Sequence, residues 1–231
     1  MGIKERHERD REAVRRAILD AARDLFVTEG YGNVSLRKIA DRIEYSPASI
    51  YSYFPSKDEI LIALAEEGVR LFAETTRESL EGLPAIDRLR RIVLRLYRFS
   101  VDHPQYFALM FVDRTVPRIC REHERFASAR EMRQELFAEL ARAADEGVLP
   151  KGISGASVFR ILTMGILGVA VMRLSGRLTA AYSDALVDDV LNVALAGLKS
   201  GVAIGSDSLA GDFPASAGTD YHEREHANLR D

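Results

Sequence analysis

The chain has 231 residues, 47% of them apolar, with 32 basic and 35 acidic side chains and a net charge of −3. That apolar share excludes a disordered polymer, and the near balance of charge excludes a protein that coats nucleic acid over its whole surface. The single cysteine, Cys120, excludes an internal disulfide and suits a reducing compartment. The first twelve residues, MGIKERHERDRE, are charged and do not read as a signal peptide. The most apolar run, Ile161 to Met172, is bracketed by Arg160 and Arg173 and falls short of the roughly 20 residues a bilayer needs. A soluble, cytoplasmic protein with no membrane partner is the expectation.

Residues 1–12 alternate basic and acidic side chains. They read as the solvated start of a helix, or as a basic arm of Lys4, Arg6, Arg9, Arg11, Arg15 and Arg16 reaching toward phosphates. Val14, Ala17, Ile18, Ala21, Ala22, Leu25 and Phe26 then recur at helical spacing, and Gly30 ends that helix. After the loop Tyr31-Gly32-Asn33, residues 35–54 read as two short helices joined by a tight turn. Ser35 is placed to cap the first, Val34 and Ile39 form a hydrophobic staple, and Leu36, Ile39, Ala40 and Ile43 share one face. Ser46-Pro47 restarts the chain as cap and first helical residue. Ile50 and Phe54 point inward, leaving Pro47, Ser49, Ser52 and Tyr53 outward. A small, uncharged outer face propped by other helices suits a DNA major groove, and the unit is a helix-turn-helix with a supporting helix. Ser56 and Glu59 form a capping box for the next helix, with Lys57 in its first turn as a phosphate clamp.

From Lys57 to Leu80 the pattern predicts one long helix, broken at Gly82-Leu83-Pro84. Helices follow over Asp87–Val101, Gln105–Val112, Arg121–Glu146, Ser154–Ser175 and Ser183–Leu198, with a loop over Asp113–Pro117. Phe72, Leu96, Phe99, Tyr106, Phe107, Met110, Phe111, Phe137 and Met164 are a pool of adaptable apolar groups. They are candidates for plain core or for a pocket that takes a small apolar or amphipathic molecule. Arg95, Arg160 and Arg173 are candidates to meet an anionic group there, and solvation on a helix surface explains them equally well. The Ser154–Ser175 helix is apolar nearly all round, so both its sides need cover. With its successor it either finishes the core of one chain or, as we expect, forms a four-helix interface with a second copy, through Ile161, Gly165, Gly168, Met172, Leu191 and Leu195. From about Ala203 the chain turns Gly/Ser/Asp/Pro-rich and reads as a disordered tail.

Little here suits catalysis. His222-Glu223-Arg224-Glu225-His226 matches a zinc-protease pattern but follows the tail and has no apolar face. His103 and His123 have no partner at ligand spacing, and Cys120 between Arg118 and Arg121 reads as an inert thiol. With no glycine-rich phosphate loop and no supported nucleophile–base set, we expect no catalytic residues, metal or cofactor.

Three stretches together, ILDAARDLFVTEGY, SLRKIADRIEYSPASIYSYF and PSKDEILIAL, resemble the DNA-binding domain of the TetR (tetracycline-repressor-like) family of bacterial regulators. The resemblance covers residues 12–72 in detail and the rest only as an all-helical pattern of suitable length. It implies an all-α protein with a helix-turn-helix domain at 12–72, a helical effector-binding and dimerisation domain at 73–202, and a tail at 203–231. By position, Ser35 caps the second helix and touches a phosphate, and Arg37 reaches a base edge. Ser49, Tyr51 and Tyr53 contact phosphates or bases, with Ser46, Pro47 and Ser52 completing that face, and Lys57 clamps a phosphate. Two departures stand out. Glu44-Tyr45 replaces a glycine and a small apolar residue, and Tyr53 replaces a frequent histidine. The implied function is a homodimeric, ligand-released repressor on double-stranded operator DNA. An activator of the same family, or a helical ligand-binding or enzymatic bundle without sequence-specific DNA binding, are the alternatives.

Overall fold

A computed structural model describes residues 2–75, 80–113, 127–149 and 153–201. Among these the chain is all-helical, with no strand. The tail with its His222/His226 pair, Cys120, His123 and most of the Asp113–Pro117 loop lie outside the described residues.

Helix α1, Ile3–Glu29, takes in the charged N-terminal stretch as well as the apolar one. It stops because Gly30 adopts φ 81°, a left-handed conformation that glycine enters without a Cβ clash. A single tight turn, Tyr31–Asn33, leads to α2, Leu36–Arg42, and α3, Pro47–Tyr51. The caps form where expected: Ser35 Oγ accepts from Lys38 N–H and Ser46 Oγ from Ser49 N–H. Such caps contribute about 0.5–2 kcal/mol each. Helix α4, Lys57–Glu74, is capped by Ser56 and ends short of the predicted Leu80. Ile18, Ala22, Phe26, Ile39, Ile50, Ile60 and Leu64 are buried together and tie α1 to α4 into one apolar core. Each large side chain there contributes roughly 1.5–3 kcal/mol of transfer free energy.

The α2–α3 turn departs from a regular connection at Glu44, which takes φ 59°. That conformation is uncommon for a residue with a Cβ. The sequence departs from the family pattern at the same place, and the backbone keeps the geometry a glycine would adopt.

Helix α5, Ala85–Asp102, begins after Pro84 and ends at His103. The expected single helix over Gln105–Val112 is instead a four-residue α6, Pro104–Phe107, followed by one π turn, Ala108–Val112. Helix α6 packs on α1, α4 and α5. The fit over α4 is tight: a Cβ on Gly68 would stand 2.7 Å from Met110 Sδ and 3.3 Å from Tyr106 Cδ1. Helices α7, Ala127–Asp145, α8, Gly155–Leu174, and α9, Ala180–Lys199, complete the described chain. Helix α8 lies against α5, α7 and α9. It is long and apolar enough to cross a membrane by composition alone, yet Val158, Leu162, Ile166, Val169 and Ala170 are buried against its neighbours.

Candidate nucleic-acid interface

The outward face of α3 is built by local capping. Ser46 and Ser49 share a hydroxyl–hydroxyl hydrogen bond of 2.8 Å, and Ser52 Oγ donates to the Ser49 carbonyl at 2.7 Å. Pro47, Ser52 and Tyr51 are exposed, Tyr51 by 58%, while Ile50 is fully buried beneath them. Arg37 and Arg42 on α2 are exposed beside this face. Lys38 is also exposed, but its ammonium pairs with Glu29 of α1. No acidic residue lies between Tyr45 and Ser56, so nothing on α3 repels phosphate.

Two expected contacts sit differently from their sequence reading. Tyr53 is half-buried and packs against the core, with the Arg11 guanidinium 5.9 Å from its ring centre. Lys57 is turned inward. Its Nζ donates to the Tyr31 carbonyl at 2.8 Å and the Val34 carbonyl at 2.9 Å, and lies 4.0 Å from the Tyr31 ring centre. The lysine thus pins the loop between α1 and α2 to the start of α4 instead of standing free for a phosphate. Tyr31 in turn donates to Asp58, and burial together with that carboxylate pushes the phenol up from its ordinary range. Arg15 stacks over Phe54 at 5.3 Å. The sequence leaves Arg11 and Arg15 either in a solvated helix start or in a basic arm. Their seats on Tyr53 and Phe54 depend on how α1 crosses α3, which no spacing within α1 reveals.

A polar network joins this unit to the rest of the chain. Arg16 binds Asp20 at 2.5 Å, pairs with Glu67 of α4, and donates to the Tyr106 hydroxyl of α6 at 3.3 Å. Arg23 donates to the same hydroxyl at 3.4 Å, and Gln105 Nε2 donates to Asp24 at 2.9 Å. Arg16's hydrogen bond holds the Asp20 carboxyl below its usual range. Tyr106 was expected among pocket residues; it is the hub between α1 and α6.

The other expected pocket residues divide. Phe72 and Phe99 pair at 5.1 Å, and Leu96 and Phe107 are buried with them in the core, with Met110 packed against it. Phe107 also stacks on Phe111 at 5.1 Å. Phe111, Phe137 and Met164 are exposed. An open cleft of about 430 Å³ lies elsewhere, between the α5 start and α7, and its lining is charged: Arg88, Glu135, Glu139, Arg142 and Glu146 with Leu80, Glu81 and Gly82. Of the three arginines, Arg173 binds Asp184 at 2.5 Å and the Tyr97 hydroxyl at 2.7 Å, and Arg160 donates to Ser157 Oγ at 3.0 Å.

The expected self-association residues also divide. Leu191 and Leu195 are buried within the chain, and a Cβ on Gly165 would overlap Val190 of α9. Leu191 and Leu195 thus serve the core of one chain, while Gly165, half-buried, brings α8 close to α9. Ile161 is half-buried, and Gly168 and Met172 are exposed. Met164 (56% exposed) joins these two on one stripe of α8, and Val193 (72% exposed) stands out on α9. Among the described residues no three side chains gather as a metal site.

The sequence profile described as "Bacterial regulatory proteins, tetR family" matches residues 18–64, which run from α1 into α4. The HTH-type transcriptional repressor KstR of Mycobacterium tuberculosis is 37% identical over 91 residues, covering 39% of this chain. That match spans 41% of KstR, so the chain aligns with about two fifths of this relative's length. Among solved structures, the fatty acid degradation regulator FadR of Bacillus halodurans superposes with a TM-score of 0.63 at 18% identity, covering 78% of this chain and 94% of FadR. A SmeT–triclosan complex superposes with a TM-score of 0.58 at 27% identity, covering 83% of this chain and 95% of SmeT.

Proposed function

We propose, from the premise that this chain belongs to the tetR family of bacterial regulatory proteins, that it is a homodimeric, one-component transcriptional repressor released from operator DNA by a small molecule. The observation that carries the reading is the face of α3: exposed, free of acids, capped at both hydroxyls and rigidly seated on Ile50. Arg37 is the candidate for bidentate pairing with a guanine edge, and Tyr51, Ser49 and Ser52 for phosphate or base contacts. Ser35, Ser46 and Pro47 hold the backbone of that face, and Lys57 supports it from within. The repressor naming of KstR and the triclosan bound to SmeT support the two halves of the proposal.

The second copy is proposed to dock on the α8 stripe Met164, Gly168 and Met172 with Val193 of α9, a run of apolar groups otherwise facing water. A dimer of this kind presents two α3 helices to successive major grooves, about 34–36 Å apart. Ligand binding among α4, α5 and α8 reaches α1 through Tyr106, Arg16 and Arg23. The ligand must prefer the released geometry, since equal affinity for both states moves no population.

Fluorescence anisotropy on the DNA upstream of the protein's own gene tests the reading at several salt concentrations. Arg37→Ala and Tyr51→Ala are expected to lose sequence preference. Wild-type affinity in both variants would refute the assignment, and retardation of every duplex alike would favour a bundle without sequence reading.

A further inference from the structure

Helix α5 carries two arginines two turns apart on one face, and their fates differ. Arg88 is fully engaged: Nε donates to Glu139 and Nη2 to Glu146, both at 2.7 Å, and Nη1 donates to the Leu83 carbonyl at 2.5 Å. Arg95 is only 3% exposed, and its sole hydrogen bond here is from Nη1 to Glu135 at 3.3 Å. Its Nε and Nη2 are buried and have no partner.

A buried guanidinium with two idle donors is costly, because each has left water without gaining an acceptor. The two idle atoms are not scattered. Nε–H and the adjacent Nη2–H run parallel along one edge of the planar group, the edge that grips a carboxylate with two hydrogen bonds. Glu135 occupies the other corner and is itself 42% exposed, so it marks the solvent side. The idle edge is enclosed by protein and shut off from water. One turn along α5 stands Phe99, fully buried and stacked on Phe72 of α4. A buried charged fork one turn from aromatic packing on the same helix is the pairing that an amphipathic acid matches, its head on the fork and its chain toward the rings.

We propose that Arg95 is the anchor for a ligand carboxylate, and that the small molecule this bundle takes is an amphipathic carboxylic acid. The proposal rests on the effector-domain reading above for its regulatory meaning, but not for the binding itself.

The test uses the full chain with octanoate, decanoate and dodecanoate below their micellar concentrations, each against its methyl ester. Calorimetry gives affinity, thermal melting gives stabilisation, and the nitrogen-15 spectrum gives the arginine Nε–H resonances. One or more acids are expected to bind, raise the melting temperature and move one Nε–H resonance that is absent from Arg95→Met. The matched ester does none of these. Arg95→Met is expected to fold, since it removes a poorly paired buried charge, and to bind the acid at least about tenfold more weakly. Arg95→Lys is expected to lose a similar factor, because an ammonium cannot reproduce the fork. Ester binding equal to acid binding, undiminished affinity in Arg95→Met, or no binding by any of the acids would overturn the proposal. Anisotropy on DNA separates the two claims. Acid bound at Arg95 with no change in DNA affinity keeps the anchor and refutes ligand release. Sequence-specific DNA binding with no acid bound keeps the regulator and refutes the anchor.

Discussion

Glu44 offers a perturbation whose two consequences pull on different observables. Its φ of 59° places a residue with a Cβ in left-handed backbone, at a cost of about 1–2 kcal/mol. Glycine removes that cost but adds freedom to the unfolded chain, which destabilises by about 0.4–1 kcal/mol. The side chain is exposed and, among the described residues, has no hydrogen-bond or ion-pair partner to lose. The balance favours Glu44→Gly by roughly 0.5–1 kcal/mol, and in a chain of this size that is a rise of about 1–4 °C in melting temperature. Glu44→Gln separates strain from charge: it keeps the Cβ and removes the carboxylate. It is expected to leave the melting temperature unchanged while strengthening DNA binding by about two- to fivefold at low salt, the scale of one exposed charge. Glu44→Gly is expected to do both. The assays are thermal unfolding by circular dichroism and anisotropy over a salt series. A lower melting temperature for Glu44→Gly would refute the strain argument, and equal DNA affinity for both variants and wild type would show that the Glu44 carboxylate does not oppose DNA binding.

Further expectations follow from the seam between α1, α4 and α6. Gly68→Leu is expected to destabilise by about 1–3 kcal/mol, the range for overpacking, with part recovered in the double variant carrying Met110→Ala. Equal destabilisation in the single and double variants would show that Met110 is not the obstacle. The Arg16 hydrogen bond holds Asp20 below the usual carboxylate range, so its contribution to stability is full above about pH 4. That contribution disappears as pH falls through the lowered folded value, and Asp20→Asn is expected to flatten this part of the pH profile in urea titrations. Identical acid limbs in variant and wild type would contradict it. Met164→Asp is expected to shift sedimentation toward monomer at micromolar concentration, whereas a wild type that is itself monomeric would remove the proposed interface.

What the sequence made legible is what local chemistry decides. Ser35, Ser46 and Ser56 each hold a first-turn amide within their own three-residue span, so the caps and most helix starts needed no tertiary information. Gly30 and the Ile50/Phe54 pair were readable for the same reason. Lys57 was not, because its acceptors are backbone carbonyls 23 and 26 residues earlier, brought near only by folding. Helix α8 failed differently. A helix apolar on all sides carries no directional signal, so its pattern did not separate Gly165, which packs inward on α9, from Met164, which faces out. Arg95 is one of five arginines on an amphipathic helix, so the sequence does not separate it from its solvated neighbours, and its half-empty guanidinium is visible only once Glu135 and Arg88 have been placed.

The central claim is sequence-specific reading of DNA by a two-fold pair of α3 faces. Selection of bound duplexes from a random pool, with the intact protein at physiological salt, tests it most directly. The account predicts enrichment of a palindrome whose half-sites lie about one or more helical turns apart, with preference at one position relaxed in Arg37→Ala. A pool that returns with no enriched sequence, or the same palindrome at the same strength from Arg37→Ala and Tyr51→Ala, would contradict it.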